Sequence, residues 1–316
     1  MGNYLGLVII HIIKNCNSRC TICDCWKTRD NILLSLERLK PVLIDLKRLD
    51  ANLIMLSGGE PLLHPELIDI LRFMREIGLK AALNTNGILL ENKISVIANL
   101  VDYIIISLDA SNPRLYKEIR GTDKFDTVIN NIRRIKNLYP EIKLEIRTTL
   151  LRKNIFDLLD IIRLAEDLKI DGIGLSPADY DSYSFGRERI ESEKSMELLI
   201  PSLEELDKFE KLLDCKVIQD SFKRGLLNWN VQNFKRLVRF YRDIRNQTFD
   251  VTENQLCFFP YTSLLIDYGG ELKNCFYSKP FATIDNYTIE QIRNQQSLIE
   301  LESQKICFKC RGRIFT

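Results

Sequence analysis

The stretch that decides the fold runs Gly6-Leu7-Val8-Ile9-Ile10-His11-Ile12-Ile13-Lys14-Asn15-Cys16-Asn17-Ser18-Arg19-Cys20-Thr21-Ile22-Cys23. Its first half is a β-branched run of strand length; its second half is a polar loop with cysteines spaced C-x3-C-x2-C. Three thiolates on one tight loop can hold three corners of a cubic iron–sulfur cluster and leave the fourth iron without a protein ligand. An open iron can bind and reduce a small molecule, whereas a fully coordinated cluster usually only passes electrons. A zinc site is the alternative, with Cys25 as its fourth ligand; otherwise Cys25 is a bystander beside the loop.

Working outward, the same strand-then-loop rhythm repeats to about residue 176. Strand candidates span 6–13, 52–57, 80–84, 103–107, 143–149 and 172–176. Helix-like stretches lie between them at 35–49, 65–77, 91–100, 125–138 and 155–168, with apolar residues at three- and four-residue steps. Strands alternating with helices imply parallel βαβ units and right-handed crossovers. The expected fold is α/β, with the sheet either curled into a barrel, as a partial (β/α)6 TIM-like barrel, or open and doubly wound. Polar and glycine-bearing residues collect at one end of every strand: the cysteine loop, then Ser57-Gly58-Gly59-Glu60-Pro61, Asn84-Thr85-Asn86-Gly87, Ser107-Leu108-Asp109, Arg147-Thr148 and Ser176-Pro177. Ligands bind at that end of parallel sheets.

Composition narrows the classes. The chain has 316 residues, 45% of them hydrophobic, enough for a large core. Its net charge of +2 favours no particular partner, and no nucleic acid is expected. No apolar run reaches membrane length and no signal-peptide layout is visible, so the expectation is a cytoplasmic protein. In that compartment nine cysteines read as metal ligands rather than disulfides. Only His11 and His64 represent histidine, which disfavours a histidine-rich metal site.

The cysteine loop after the first strand, followed by Gly58-Gly59-Glu60-Pro61 after the second, resembles the radical S-adenosylmethionine (SAM) superfamily over residues 6–176. The resemblance implies a 4Fe–4S cluster on Cys16, Cys20 and Cys23, with SAM on the open iron. Gly58, Gly59 and Glu60 would meet the methionine amino group. Ser107 and Asp109 would take the ribose hydroxyls, and Arg147 the SAM carboxylate. Asn84 and Asn86 would bond SAM or substrate, Ile22 would pack near the adenine, and Ser176 completes the cofactor-binding set. A salt bridge of Arg147 with Glu145 or Glu60 is the alternative for that arginine.

Beyond Pro177 the pattern changes, and residues 1–178, 179–256 and 257–316 read as barrel, helical connection and a smaller cluster-binding domain. Helical stretches are expected at 202–213 and 219–245. The second interleaves arginines with aromatics, which fits either a grip on a peptide or acidic ligand or an ordinary amphipathic helix. Asp179, Tyr180 and Tyr183 are pocket candidates, and Cys215 reads as a small buried hydrophobe. A hairpin at 263–267 and 271–276 turns at Tyr268-Gly269-Gly270. A helix-like stretch follows near 288–300.

Cys257, Cys275, Cys307 and Cys310 in this region resemble the SPASM extension and, more closely, its shortened twitch form. That resemblance implies a second, fully coordinated 4Fe–4S cluster that takes an electron from the substrate radical; a four-cysteine zinc knot is the alternative. An external one-electron reductant of the flavodoxin or ferredoxin kind is then expected. About fifteen residues precede Cys16, too few for an N-terminal peptide-recognition domain. This favours dehydrogenation of a small polar metabolite, such as a sugar or cyclitol, over maturation of a ribosomally made peptide. A non-catalytic iron–sulfur or zinc protein is the reading from another class.

Overall fold

Short apolar runs become strands here because both of their faces are covered, as parallel sheets require. A computed structural model describes residues 5–28, 30–180, 184–187, 192–248, 263–276 and 278–293. Tyr183, Cys257, Cys307 and Cys310 lie outside the described residues. Six parallel strands, β1 (Leu7–Ile13), β2 (Leu53–Gly58), β3 (Ala81–Thr85), β4 (Tyr103–Ser107), β5 (Lys143–Leu150) and β6 (Gly172–Pro177), lie in sequence order. Their outer faces carry Ile10, Ile12, Leu56, Leu83, Ile104, Ile106, Leu144 and Ile146, all fully or almost fully buried. The covering layer is α1 (Leu36–Arg48), α2 (Leu67–Glu76), α3 (Ile94–Ile97), α4 (Pro113–Arg120), α5 (Phe125–Leu138) and α6 (Leu158–Asp167). This is the α/β partial-barrel architecture expected from the sequence.

Three departures follow from local chemistry. First, α4 precedes α5, so two helices rather than one connect β4 to β5. The signals are present in the sequence: Asn112 caps the Leu115 amide, Pro113 follows at the first helical position, and Gly121 ends the helix at φ +65°. Second, the expected helix over 219–245 is broken into α9 (Lys216–Lys223) and α10 (Val231–Asn246), after α7 (Ser192–Leu199) and α8 (Leu203–Leu212). Gly225 turns the chain at φ +70°, and Asn230 and Asn233 cap α10 reciprocally. Between them Leu227 bridges Ile173 on the open edge of β6.

The third departure concerns the hairpin, β7 (Ser263–Ile266) and β8 (Glu271–Lys273). It does not stand apart from the barrel. β7 pairs in parallel with β1, and β9 (Ala282–Thr283) pairs with β8, so the described strands form one sheet in the order β6-β5-β4-β3-β2-β1-β7-β8-β9. The second hairpin strand ends at Lys273, short of the expected residue 276. Ser278 draws Cys275 into a turn, accepting from its amide at 3.2 Å and donating to its carbonyl at 3.1 Å.

α10 is amphipathic: Phe234 and Tyr241 are buried, while Arg242 pairs with Asp207 and Glu210 and Arg245 with Glu197. In the turn before it Trp229 is buried, and Arg224, at the end of α9, pairs with Glu166. Those arginines are therefore committed within the chain. Among the described residues no helix is long and apolar enough to cross a membrane.

Candidate metal centre

The C-terminal ends of the parallel strands gather the sequence candidates at one end of the sheet. Strand register sets the ring: His11 pairs with Ser57, Ser107 with Arg147, Arg147 with Gly174, and Thr149 with Ser176. Asn84, on β3, donates to Ser57 Oγ at 3.0 Å, tying β3 to β2.

The cysteine loop is anchored on two sides. On one side lies the Gly-Gly turn. Gly58 has φ +121°, and an added Cβ would come within 3.0 Å of the Ile13 carbonyl; at Gly59 it would meet the Lys14 and Asn15 carbonyls as closely. The close approach lets Gly59 N donate to Ile13 O at 2.7 Å and Glu60 N to Asn15 O at 2.8 Å. The glycines thus bring two chain segments together directly beneath the loop. The other side is the C-terminus of α4. Arg19 N donates to Arg120 O at 3.1 Å and Thr21 N to Ile119 O at 2.9 Å. Gly121 has no Cβ because the Arg19 backbone occupies that space.

Within the loop the sulfurs have polar neighbours. Ser18 N lies 3.5 Å from Cys16 Sγ, Asn86 Nδ2 is 3.9 Å from the same sulfur, and Arg120 Nη1 is 3.8 Å from Cys20 Sγ. Cys20 and Cys23 are in hydrogen-bond contact, and so are Cys23 and Cys25. Burial pushes the Cys16 thiol up to about 11. The contact with Cys20 lowers the Cys23 value, but contact with Cys25 and burial outweigh it and raise it to about 12. Metal-free, these thiols stay protonated at neutral pH, so binding a thiophilic metal releases protons. Ser18 Oγ, Asn15 Oδ1 and Asn84 Oδ1 are buried without a partner. Three thiols with amide and guanidinium donors around the sulfurs fit an iron–sulfur cluster, whose sulfurs accept such bonds.

The carboxylates expected to touch a cofactor are engaged inside the protein. Glu60 is fully buried and accepts from Leu62 N at 3.0 Å, Thr85 Oγ1 at 2.7 Å and Asn86 N at 2.8 Å. Burial raises its pKa, and these three donors oppose the rise. Asp109 is also fully buried; it accepts from Thr149 N at 2.7 Å and pairs with Arg120 at 2.6 Å. Its carboxylate is thus directed at Arg120 and β5, which leaves Ser107, half-buried at the end of β4, as the freer ribose candidate. Asn86 donates to Asn17 Oδ1 at 2.6 Å and holds the loop as well.

Arg147 lies over Gly174, at the van der Waals distance an added Cβ would meet. Burial lowers its pKa, and Glu145 pulls the other way. The alternative for it, a salt bridge with Glu145 or Glu60, is not formed among the described residues, so the guanidinium remains suited to an anionic ligand. Ser176 is half-buried at the end of β6, and Ile22 packs partly buried against the core. Asp179 is buried. Its carboxylate pairs with Arg187 at 3.3 Å, and Arg187 also donates to the carbonyls of Ile22 and Asp179, both at 2.7 Å.

Sequence reasoning missed Arg120 and Arg187. Arg120 is an arginine before a helix-ending glycine, with nothing local to mark it. Arg187 lies in the described segment 184–187, far from the loop in sequence. Cys275, the described member of the second cysteine set, is half-buried beside Phe276, whose ring contacts those of His11 and Phe185.

Residues 10–165 match the family model of the Radical SAM superfamily. A protein of Saccharolobus islandicus named probable GTP 3',8-cyclase is 30% identical over 176 residues, 54% of this chain and 55% of that protein. A namesake from Sulfurisphaera tokodaii is 30% identical over 213 residues, 65% of each. The match to the first relative thus spans about half of its length. Among solved structures, Streptococcus suis SuiB bound to precursor peptide SuiA superposes with a TM-score of 0.69 at 14% identity, covering 99% of this chain and 71% of that one. The structure of anSMEcpe with bound AdoMet and a Cp18Cys peptide gives 0.63 at 16% identity, covering 98% and 87%. At such identities these structures speak for the fold alone.

Proposed function

Residues 10–165 are a radical SAM domain, and from that premise we propose that the chain is an enzyme using SAM and a 4Fe–4S cluster to abstract a hydrogen atom from a small polar molecule. The observation that carries this is the C-x3-C-x2-C loop at the end of β1, packed on Gly58-Gly59 and ringed by Asn84, Ser107, Arg147 and Ser176. Cluster and SAM together would supply radical chemistry, started by one-electron reductive cleavage of SAM. The protein's own part is placement. Cys16, Cys20 and Cys23 would hold three irons, and the Arg147 guanidinium would pair with the SAM carboxylate. Asn84 and Ser107 offer hydrogen bonds to the nucleoside or the substrate, while the barrel wall keeps water from the reacting carbon.

The small-molecule reading draws on the curated relatives, which are named for a reaction of GTP. Whether the net change is a dehydrogenation depends on an electron acceptor. Cys275, with Cys257, Cys307 and Cys310, is proposed to hold that acceptor as a second cluster. An external flavodoxin- or ferredoxin-like protein is the proposed electron donor.

The test is anaerobic reconstitution of the full chain with iron and sulfide, followed by SAM and dithionite. Release of 5′-deoxyadenosine is expected, and Cys20→Ala should abolish it. Release that persists in Cys20→Ala would refute the assignment of the loop.

A further inference from the structure

Arg120 contacts a sulfur of the cysteine loop, and nothing above assigns it to a ligand. It is 8% exposed and sits at the last position of α4. One arm of its guanidinium lies 3.8 Å from Cys20 Sγ, and the other is 2.6 Å from Asp109 Oδ2. Its backbone carbonyl accepts from Arg19 N inside the same loop. Asp109 in turn is held by Thr149 N on β5. The side chain is therefore fixed at both ends, and the loop cannot shift from it without breaking the α4 contacts.

A positive charge held against one ligating sulfur in a water-poor site acts on whatever charge that sulfur shares. Reduction adds one electron to a cluster already carrying three thiolates, so the reduced form gains more from the guanidinium than the oxidised form does. Asp109 partly offsets this, being the counter-charge on the far side. We propose that Arg120 is a positioning and tuning residue for the cluster. It raises the midpoint potential through its contact with Cys20, and Asp109 sets how much of its charge the cluster feels. This inference rests on the cluster reading given above.

The pair predicts shifts of opposite sign, which a merely structural role would not produce. Arg120→Gln removes the cation and should move the midpoint potential negative; a tenfold change in the one-electron equilibrium corresponds to about 59 mV. Arg120→Lys keeps the charge and should move it by less. Asp109→Asn leaves the cation uncompensated and should move it positive. The measurement is an EPR-monitored redox titration of the reconstituted full chain without SAM, with dithionite as the electron source. The relevant signal is the one absent in Cys20→Ala, and iron and sulfide are counted in each variant.

An unchanged potential in Arg120→Gln with full iron content, or shifts of the same sign in Arg120→Gln and Asp109→Asn, would overturn the inference. The wild-type chain supplies a check that needs no variant. With guanidinium-labelled 15N-arginine, pulsed EPR of the reduced cluster should show a nitrogen coupling, and its absence counts against the proposal. If wild-type protein assembles no iron–sulfur cluster at all, the cluster reading fails and this inference with it; a cluster with an unmoved potential defeats only this inference.

Discussion

At the scale of single residues, Glu60 shows how a motif position can serve the fold and the site together. Its carboxylate ties the turn after β2 to the end of β3 through three donors. Glu60→Gln replaces one accepting oxygen with a donor and should cost about 2 kcal/mol in chemical denaturation, since one buried donor then faces another. His11 gives a pH prediction. Its ring sits on the inner face of β1, enclosed by protein though open to the barrel interior, against Tyr268 and Phe276. Burial lowers its pKa from 6.5 to about 4, with Asp267 opposing and Lys273 assisting. The unfolded chain therefore takes up a proton below pH 6.5 that the fold refuses. The stability linked to His11 is complete above pH 6.5 and is lost as pH falls towards 4. The loss is about 2 kcal/mol, allowing for the ring's partial access to solvent. His11→Phe should flatten that part of the stability–pH profile relative to the natural chain.

At the scale of elements, the cysteine loop depends on neighbours distant in sequence: the Gly-Gly turn of β2, the C-terminus of α4 and the segment 184–187. The ends of β5 and β6 are held by α10 in the same way. Tyr241 donates to Leu150 O at 2.6 Å and accepts from Ala178 N at 2.8 Å. Tyr241→Phe leaves both backbone groups without that partner and should destabilise the chain by about 2 kcal/mol. Hydrogen exchange should speed at Ala178 more than at the β1 amides. The helices themselves are legible where apolar periodicity and caps agree, as in α1 and α8, where Ser35 and Ser202 accept from the Arg38 and Glu205 amides. The first helix after β4, α4, is missed by a reading that allows one helix per strand crossover, although Asn112, Pro113 and Gly121 mark its ends. The break between α9 and α10 is hidden from periodicity, which continues across Gly225 while the helical backbone stops there at φ +70°.

At the scale of the whole molecule, the pairing of β7 with β1 makes the C-terminal hairpin part of the barrel sheet and sets Phe276, next to Cys275, against His11 and Phe185. Cys275 thus follows a strand of the same sheet that carries the cysteine loop. Reconstituted wild-type protein should carry about eight irons per chain, and Cys275→Ala about four; about four in the wild type would exclude the second cluster. The sequence by itself determined the parallel α/β order, the C-x3-C-x2-C loop at the end of β1 and the ring of polar residues at the strand ends, because periodicity, glycine and cysteine spacing are local properties of the chain. Only the tertiary structure decided that Glu60 and Asp109 face protein donors, that Arg120 meets Cys20 across a hundred residues, and that β7 joins β1. Each depends on which segments lie side by side once the sheet closes, and a linear pattern of residue types does not encode that adjacency locally.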